Sequence, residues 1–194
     1  MKCKVLTLLV FFLALSCSKK RKEVEEPKNI GHPSLRNQVV DVDLPALLKG
    51  SLLRIKDGEY VPMGQVEPKE FYVFYETASY CKPCKEFSPT LNLFYEVYKG
   101  NYGDKFELAV VSYDINEALF QSYAKKQMPA VPIFSFTEKE TFGKKVPTLL
   151  GGLIPNLIVT DARGKVLKSS FDSRGRYHGP EIPMNFLKSL LEQK

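Results

Sequence analysis

The sequence contains no tryptophan, only two histidines and only four cysteines among its 194 residues. A zinc site needs about four ligands, and His32 and His178 are the sole histidines that would join the cysteines. Covalent haem attachment would need a histidine directly after a paired cysteine, but Lys85 stands there. These shortages argue against a metal or haem centre and leave the cysteines to other chemistry.

The sequence also lacks an apolar run long enough to span a bilayer. The run Val5–Leu15 has about eleven residues, whereas a membrane-spanning helix needs ~20. Lys2 and Lys4 precede this run and Ser16-Cys17 follows it. A charged region, an apolar region and a small residue in that order are typical of a secretory signal. We therefore predict a signal peptide over residues 1–16.

The segment Leu13-Ala14-Leu15-Ser16-Cys17 resembles the lipobox of bacterial lipoproteins. In that family the cysteine becomes the lipidated first residue of the mature protein. Ala14 departs from the pattern, since the family usually has leucine there. An ordinary secretory peptide with an incidental cysteine is the alternative. The resemblance implies a lipid anchor on Cys17 and a location in the bacterial cell envelope, with the domain facing the periplasm or the cell exterior.

Residues 17–37 are polar and charged, and we predict a flexible tether that leads into a domain over residues 38–194. The net charge of +6 is partly terminal, because Lys19-Lys20-Arg21-Lys22 lies in this tether. Such a run suits contact with anionic lipid head groups, or equally a solvated linker. No basic patch interleaved with aromatic residues forms a recognisable nucleic-acid module, so nucleic acid is not an expected partner.

Hydrophobic patterning in the domain alternates between strand and helix. Alternation favours parallel crossovers, and a late hairpin adds antiparallel strands. We therefore predict an α/β domain with a central mixed sheet flanked by helices and an N-terminal β-hairpin extension. The predicted strands are Ser51–Ile55, Tyr60–Val61, Phe71–Tyr75, Phe106–Ser112, Leu157–Thr160 and Lys165–Lys168, and helices are expected after Cys84, after Asp114 and near the C-terminus. The dipeptide Asp57-Gly58 between the first two strands predicts a hairpin turn. The segment Met128–Phe134, with two prolines, is expected to be extended.

Two helix starts are predicted from local signals. Asp114 is suited to cap a helix that runs to Tyr123, since Glu117 follows three residues later as in a capping box. Pro183 is suited to be the first residue of a final helix that ends at Leu191.

Two cysteines with two residues between them stand where the apolar strand Phe71–Tyr75 gives way to an amphipathic helix. Cys3 would leave with the signal peptide and Cys17 would carry lipid, so Cys81 and Cys84 remain as one pair. A helix N-terminus stabilises a thiolate through its unpaired N–H groups and its dipole. Export would place the pair where a disulfide persists. A redox pair is therefore expected.

The domain resembles the thioredoxin-like superfamily, and within it the tryparedoxin and nucleoredoxin branch and the bacterial exported thiol–disulfide oxidoreductases. The resemblance rests on Cys81-Lys-Pro83-Cys84, on Pro89 and on Ile154-Pro155 in register with them. It implies the thioredoxin fold and a cis bond before Pro155. Three departures are Tyr80 in place of the usual tryptophan, Asn156 in place of the common threonine, and Tyr75 where many thioredoxins bury an acid.

The resemblance implies a role for each residue of the site. Cys81 is expected to attack a protein disulfide, and Cys84 to resolve the mixed disulfide that results. Lys82, Lys85 and Glu76 are candidates for tuning the thiolate, although the two lysines equally fit a solvated helix surface. The expected substrate-binding residues are Tyr80, Pro83, Ile154 and Pro155.

These expectations describe a membrane-tethered thiol–disulfide oxidoreductase that needs no cofactor and acts as a monomer. Its expected partners are protein dithiols or disulfides and a second protein that recycles its redox state. The direction of electron flow is left open by the sequence. A non-catalytic binding or adaptor lipoprotein on the same fold is the alternative.

Overall fold

The computed structural model describes residues 42–147 and 149–193. The predicted signal peptide 1–16, the tether 17–37, the lipid-bearing Cys17 and the expected domain start at residue 38 lie outside the described residues. The helices are α1 (Leu44–Leu48), α2 (Lys82–Tyr102), α3 (Glu117–Gln127), α4 (Glu138–Lys145) and α5 (Glu181–Leu191). The strands are β1 (Leu52–Lys56), β2 (Glu59–Pro62), β3 (Phe71–Thr77), β4 (Phe106–Ser112), β5 (Ile133–Phe134), β6 (Asn156–Asp161) and β7 (Val166–Ser169).

The described strands form one mixed sheet in the order β2-β1-β5-β4-β3-β6-β7. The central strands β3 and β4 run parallel, because the long helix α2 connects them as a crossover. β6 pairs antiparallel with β3 on the other side, and β7 follows it as a hairpin. The predicted fold class, an α/β domain with a central mixed sheet flanked by helices, is confirmed.

The N-terminal hairpin of β1 and β2 extends this sheet, as predicted. Its turn residues Asp57 and Gly58 both have positive φ, at 53° and 82°. Such values suit a two-residue hairpin turn, whose twist matches that of the flanking strands. β1 joins the sheet by pairing with the two-residue strand β5, in a segment that the sequence predicted only as extended.

The two faces of the sheet bury separate cores. On one face, Val73 and Tyr75 of β3 pack with residues of α2, α3 and α5. On the other, Tyr72 and Phe74 pack with residues of α1 and α4. Side chains of a strand alternate between faces, so Glu76 shares the face of Tyr72 and Phe74. Because β3 is buried on both faces, it is a fixed platform for the turn that follows Thr77.

Both predicted helix starts are wrong. The cap of α3 is Asn116, whose side chain accepts from Leu119 N at 2.9 Å. Asp114 instead accepts hydrogen bonds from Ser79 and Ser112, so its carboxylate is already occupied. α5 begins at Glu181, with Pro183 as its third residue. A proline is tolerated there because the first N–H groups of a helix have no intrahelical partner.

Candidate redox site

The cysteine pair lies at the start of α2, four residues after β3 ends. Cys81 and Cys84 form a disulfide with their Cα atoms 5.2 Å apart. Cys81 is the N-cap of α2, and its Sγ accepts from Cys84 N at 3.2 Å. Cys81 is 8% exposed and Cys84 is fully buried. Cys81 is therefore the more accessible cysteine of the pair.

The surroundings of Cys81 favour a thiolate once the disulfide is reduced. The N–H of Cys84 and the dipole of the 21-residue helix α2 both point at the sulfur. Lys82 and Lys85 lie in the first turn and are exposed. Neither forms an ion pair within residues 42–147 and 149–193. Their charges remain directed to solvent beside the site.

The Ile154–Pro155 peptide bond is cis, as the resemblance implies. Ile154 packs with Tyr113 against a small buried cluster that contains Ala78, Cys81 and Cys84. The backbone N–H and C=O of Ile154 find no partner in the described parts of the chain. The segment before Pro155 therefore offers free backbone groups beside the disulfide.

A groove of about 400 Å³ lies between the first turns of α2, Pro155 and the start of the C-terminal helix. Pro83 and Pro155 line it together, which brings the two expected substrate-binding prolines into one surface. Residues of α2, of the segment before α5 and of the first position of α5 complete its walls: Glu86, Phe87, Thr90, Tyr177, Gly179, Pro180 and Glu181. The sequence predicted the prolines but gave no signal for the segment 177–181, which reaches the site only through folding.

Tyr80 stands at the rim of the site and is 65% exposed. Its hydroxyl donates to the carbonyl oxygen of Tyr113 at 3.3 Å. The ring therefore presents a large apolar surface next to Cys81.

Glu76 is fully buried and its carboxylate is surrounded by donors. Tyr113 Oη donates to Glu76 Oε1 at 2.6 Å, and Asn156 Nδ2 donates to Oε2 at 2.6 Å. The backbone N–H groups of Gly151 and Gly152 donate to Oε1 at 3.1 Å and 3.0 Å. Three of these four donors therefore belong to the segment around Pro155, and the fourth follows β4. A role in thiolate tuning remains a prediction.

Asp114 and Tyr113 are site residues that sequence reasoning missed. Asp114 accepts from the backbone N–H of Ser79 at 3.1 Å and from the hydroxyl of the same residue. It thereby holds the turn between β3 and Cys81. The available signal was their place after β4, because carboxyl ends of neighbouring parallel strands meet at one edge of a sheet and bind ligands there.

A chain of buried hydroxyls lies beneath Cys84. Tyr75 Oη donates to the carbonyl oxygen of Cys84 at 3.3 Å and lies 3.2 Å from Ser88 Oγ. Ser88 Oγ also contacts Tyr123 Oη at 2.7 Å, and Tyr123 Oη contacts Thr77 Oγ1 at 3.0 Å. Burial raises the pKa of Tyr75 well above its usual range. This phenol therefore stays neutral and orients the helix start rather than serving as a base.

No group of three or more histidines, cysteines or acids that suits a metal ion occurs in residues 42–147 and 149–193. His178 lies in the loop before α5, where its Nε2 is 3.1 Å from Asp172 Oδ2. The same carboxylate accepts from Arg176 Nε at 2.7 Å. His178 thus belongs to a surface loop network. Among the described helices, none is long and apolar enough to cross a membrane.

Comparison with known proteins agrees with this geometry. Residues 70–166 match the family described as Thioredoxin-like. A tryparedoxin from Trypanosoma brucei brucei is 35% identical over 107 residues, which cover 55% of this chain and 70% of the relative. A probable nucleoredoxin 1 from Arabidopsis thaliana is 33% identical over 133 residues, which cover 66% of this chain but 22% of the relative.

A solved structure shows the same architecture. Native tryparedoxin I from Crithidia fasciculata superposes with a TM-score of 0.52 at 27% identity, over 79% of this chain and 96% of that one. The matched family region contains β3, the Cys81–Cys84 pair and Pro155. The chain therefore belongs to the thioredoxin-like family of oxidoreductases, and Cys81 and Cys84 are its disulfide-forming pair.

Proposed function

We propose that the protein is an exported, membrane-tethered thiol–disulfide oxidoreductase that acts on protein disulfides through Cys81 and Cys84. The observation that carries the proposal is the partly accessible Cys81 at the N-terminus of α2, beside the cis bond before Pro155. The helix end supplies a nucleophilic thiolate, and the free backbone of Ile154 supplies a place for a substrate strand.

The reaction proceeds through two exchanges. The Cys81 thiolate attacks one sulfur of a substrate disulfide, which forms a mixed disulfide and releases the other substrate sulfur as a thiolate. The Cys84 thiol then loses its proton and attacks Cys81 Sγ. This step forms the Cys81–Cys84 disulfide and releases the second substrate thiolate. The substrate gains two electrons, and both of its thiolates take protons from solvent.

Turnover requires a second protein that returns two electrons to the Cys81–Cys84 disulfide. The same steps run in reverse oxidise a substrate dithiol. The equilibrium reduction potential of the pair decides between these directions. A value near those of cytosolic reductants, about −270 mV for thioredoxin, favours a reductase. A value nearer about −120 mV, as in a strong periplasmic oxidant, favours an oxidase.

Insulin reduction tests the proposed chemistry. With a dithiol reductant in excess, the wild-type chain should reduce insulin disulfides, and Cys81→Ser should lose at least about a thousandfold in rate because it removes the nucleophile. Lys125→Gln, an exchange on α3 beside the β2 edge of the sheet, is the matched control and should retain activity. Equal rates for wild type and Cys81→Ser would refute the enzymatic proposal and favour a binding or adaptor protein.

The membrane tether is tested separately. Growth of expressing bacteria with a labelled fatty acid should label the wild-type chain, because the lipobox resemblance places the acylated residue at Cys17. Cys17→Ser should be unlabelled and released from the membrane fraction. Cys3→Ser, which removes a cysteine of the predicted signal peptide, should be labelled like the wild type. Labelling of Cys17→Ser would contradict the proposed anchor.

A further inference from the structure

The buried Glu76 carboxylate is the structural link between β3 and the segment that carries Pro155. Glu76 is the penultimate residue of β3. Side chains of a strand alternate between the two faces of the sheet, and Tyr75 packs on the face that α2 covers, so the Glu76 side chain points to the opposite face. An ionised group in such a place is tolerated only when hydrogen bonds replace its water. The described residues supply those bonds entirely from neutral donors, with no ion pair to Glu76.

The donors bracket the cis bond on both sides. Gly151 and Gly152 donate from the chain before Ile154, and Asn156 donates from the chain after Pro155. Gly152 has φ of +72°, a conformation that favours glycine, which turns its N–H toward the carboxylate. One side chain therefore fixes the segment 151–156 at both ends.

The same carboxylate also reaches the cysteine cluster through Tyr113. Tyr113 Oη donates to Glu76 at 2.6 Å, while the Tyr113 ring packs with Ile154 against Cys81 and Cys84. Lys139 Nζ lies 5.2 Å from the centre of the Tyr113 ring and donates to Ser112 O rather than to Glu76. The position of Ile154 relative to Cys81 thus depends on hydrogen bonds to one buried acid.

We infer that Glu76 is a positioning residue, which holds the Ile154–Pro155 segment beside Cys81 so that the Ile154 backbone pairs with the substrate. This inference rests on the proposed oxidoreductase function. It assigns Glu76 to substrate alignment and not to the reactivity of the thiolate. A glutamine is a poor replacement, because it has one acceptor oxygen and its NH₂ would be placed toward groups that now donate to the carboxylate.

The test measures substrate binding and cysteine reactivity in Glu76→Gln. We expect KM for insulin to rise about tenfold with kcat changed less than about twofold. The variant would lose binding that contributes equally to the bound substrate and the transition state, while the reactivity of the cysteines is unchanged. The rate and pH profile of Cys81 alkylation by iodoacetamide should match the wild type. Amide hydrogen exchange at Gly151 and Gly152 should accelerate at least about tenfold, because a glutamine keeps one neutral acceptor oxygen for the four donors that now share a carboxylate.

Glu107→Gln is the matched control. Glu107 is also buried and hydrogen-bonded, but it pairs with Tyr72 near the start of β3, at the opposite end of the sheet from Glu76. This variant should leave KM and the exchange of Gly151 and Gly152 unchanged. A rise in KM of equal size in both variants would overturn the inference, because loss of stability alone would then explain it.

Two further outcomes overturn the inference. The first is unchanged KM and unchanged exchange at Gly151 and Gly152 in Glu76→Gln. The second is a shifted pH profile of alkylation with unchanged KM, which would assign Glu76 to thiolate tuning. Failure of the wild-type chain to reduce insulin would instead refute the proposed function. In that case, unchanged amide exchange in Glu76→Gln would still overturn the claim that Glu76 holds the segment.

Discussion

Two buried carboxylates lie at opposite ends of one pair of parallel strands. In the register of β3 and β4, Glu107 lies opposite Tyr72 near the start of β3, whereas Glu76 lies opposite Val111 near its end. Glu107 accepts from Tyr95 Oη and Lys99 Nζ, each at 2.9 Å and each on α2. Glu76 accepts instead from a tyrosine, an asparagine and two backbone amides around Pro155.

The different partners of Glu107 and Glu76 indicate different roles: Glu107 stabilises the fold, and Glu76 supports the reaction. At the end of the strands far from the cysteines, Glu107 connects two regular elements, β4 and α2, and one of its partners is the charged Lys99. At the end near the cysteines, Glu76 connects β3 to the irregular backbone of Gly151 and Gly152, which lies outside the described helices and strands. We therefore expect substitution of Glu107 to alter unfolding and substitution of Glu76 to alter the reaction.

The largest expected difference lies within the cysteine end itself. In the reduced protein, iodoacetamide should alkylate Cys81 at least about 100-fold faster than Cys84, because Cys81 combines access with thiolate stabilisation and Cys84 is fully buried. Peptide mass spectrometry after brief, substoichiometric labelling measures the ratio. Equal labelling of the two cysteines would break the comparison, since the accessible sulfur would have no special reactivity.

Glu107→Gln should lower the free energy of unfolding by about 2 kcal/mol, because Lys99 keeps its charge and loses a buried partner. Urea unfolding monitored by circular dichroism gives this value. The double variant Lys99→Met with Glu107→Gln should recover part of the loss, since no unpaired charge remains. A lower rate of insulin reduction by Glu107→Gln, measured where the variant is fully folded, would contradict the assignment of Glu107 to stability.

Asp114→Asn should lower the free energy of unfolding by about 1–2 kcal/mol, because the carboxylate that accepts from Ser79 and Ser112 becomes an amide with one acceptor oxygen. Exchange of the Ser79 amide hydrogen should accelerate with it. Asp104→Asn, at an exposed turn before β4, serves as the control and should change neither. An unaffected Ser79 amide would show that the turn before Cys81 is held by other contacts.

The smallest expected effect concerns the hairpin edge of the sheet. Tyr60 Oη is buried without a hydrogen-bond partner among the described residues, so Tyr60→Phe should raise the free energy of unfolding by up to about 1 kcal/mol. Burial raises the pKa of Tyr60 to about 12, against about 10 for an unfolded chain. Its neutral form therefore stabilises the fold fully below about pH 10, and this contribution is lost as pH rises through about 12.

Urea unfolding at about pH 9 and about pH 11.5 checks this titration. The advantage of Tyr60→Phe over wild type should grow with pH, because the variant lacks the group that ionises on unfolding. An advantage that stays constant, or a variant that is less stable at both pH values, would contradict the burial assigned to this hydroxyl.

Local signals in the sequence were sufficient for most strands of the sheet. The Asp57-Gly58 turn predicted the β1–β2 hairpin, and the apolar runs predicted β3, β4 and β6, because each depends on neighbours in the chain. The cap of α3 was missed because Asp114 and Asn116 are both suitable capping residues. Only the distant contact of Asp114 with Ser79 decides between them.

The site was predictable where it depends on a short motif. Cys81 at the start of a helix and a cis bond before Pro155 follow from local patterns and from the family resemblance. The partners of Glu76 were not predictable, because they lie 37 to 80 residues away in the chain. The approach of Tyr177 to Pro83 likewise depends on how α5 docks on the sheet. Long-range contacts of irregular segments leave no periodic signal.

Capture of the mixed disulfide tests the central claim most directly. Reduced Cys84→Ser, incubated with insulin, should form a mixed disulfide through Cys81 that dithiothreitol cleaves. The adduct accumulates because this variant lacks the thiol that would attack Cys81 Sγ and release insulin. Cys81→Ser, which keeps the buried Cys84, should form none. An adduct from Cys81→Ser, or no adduct from a folded Cys84→Ser, would contradict the account.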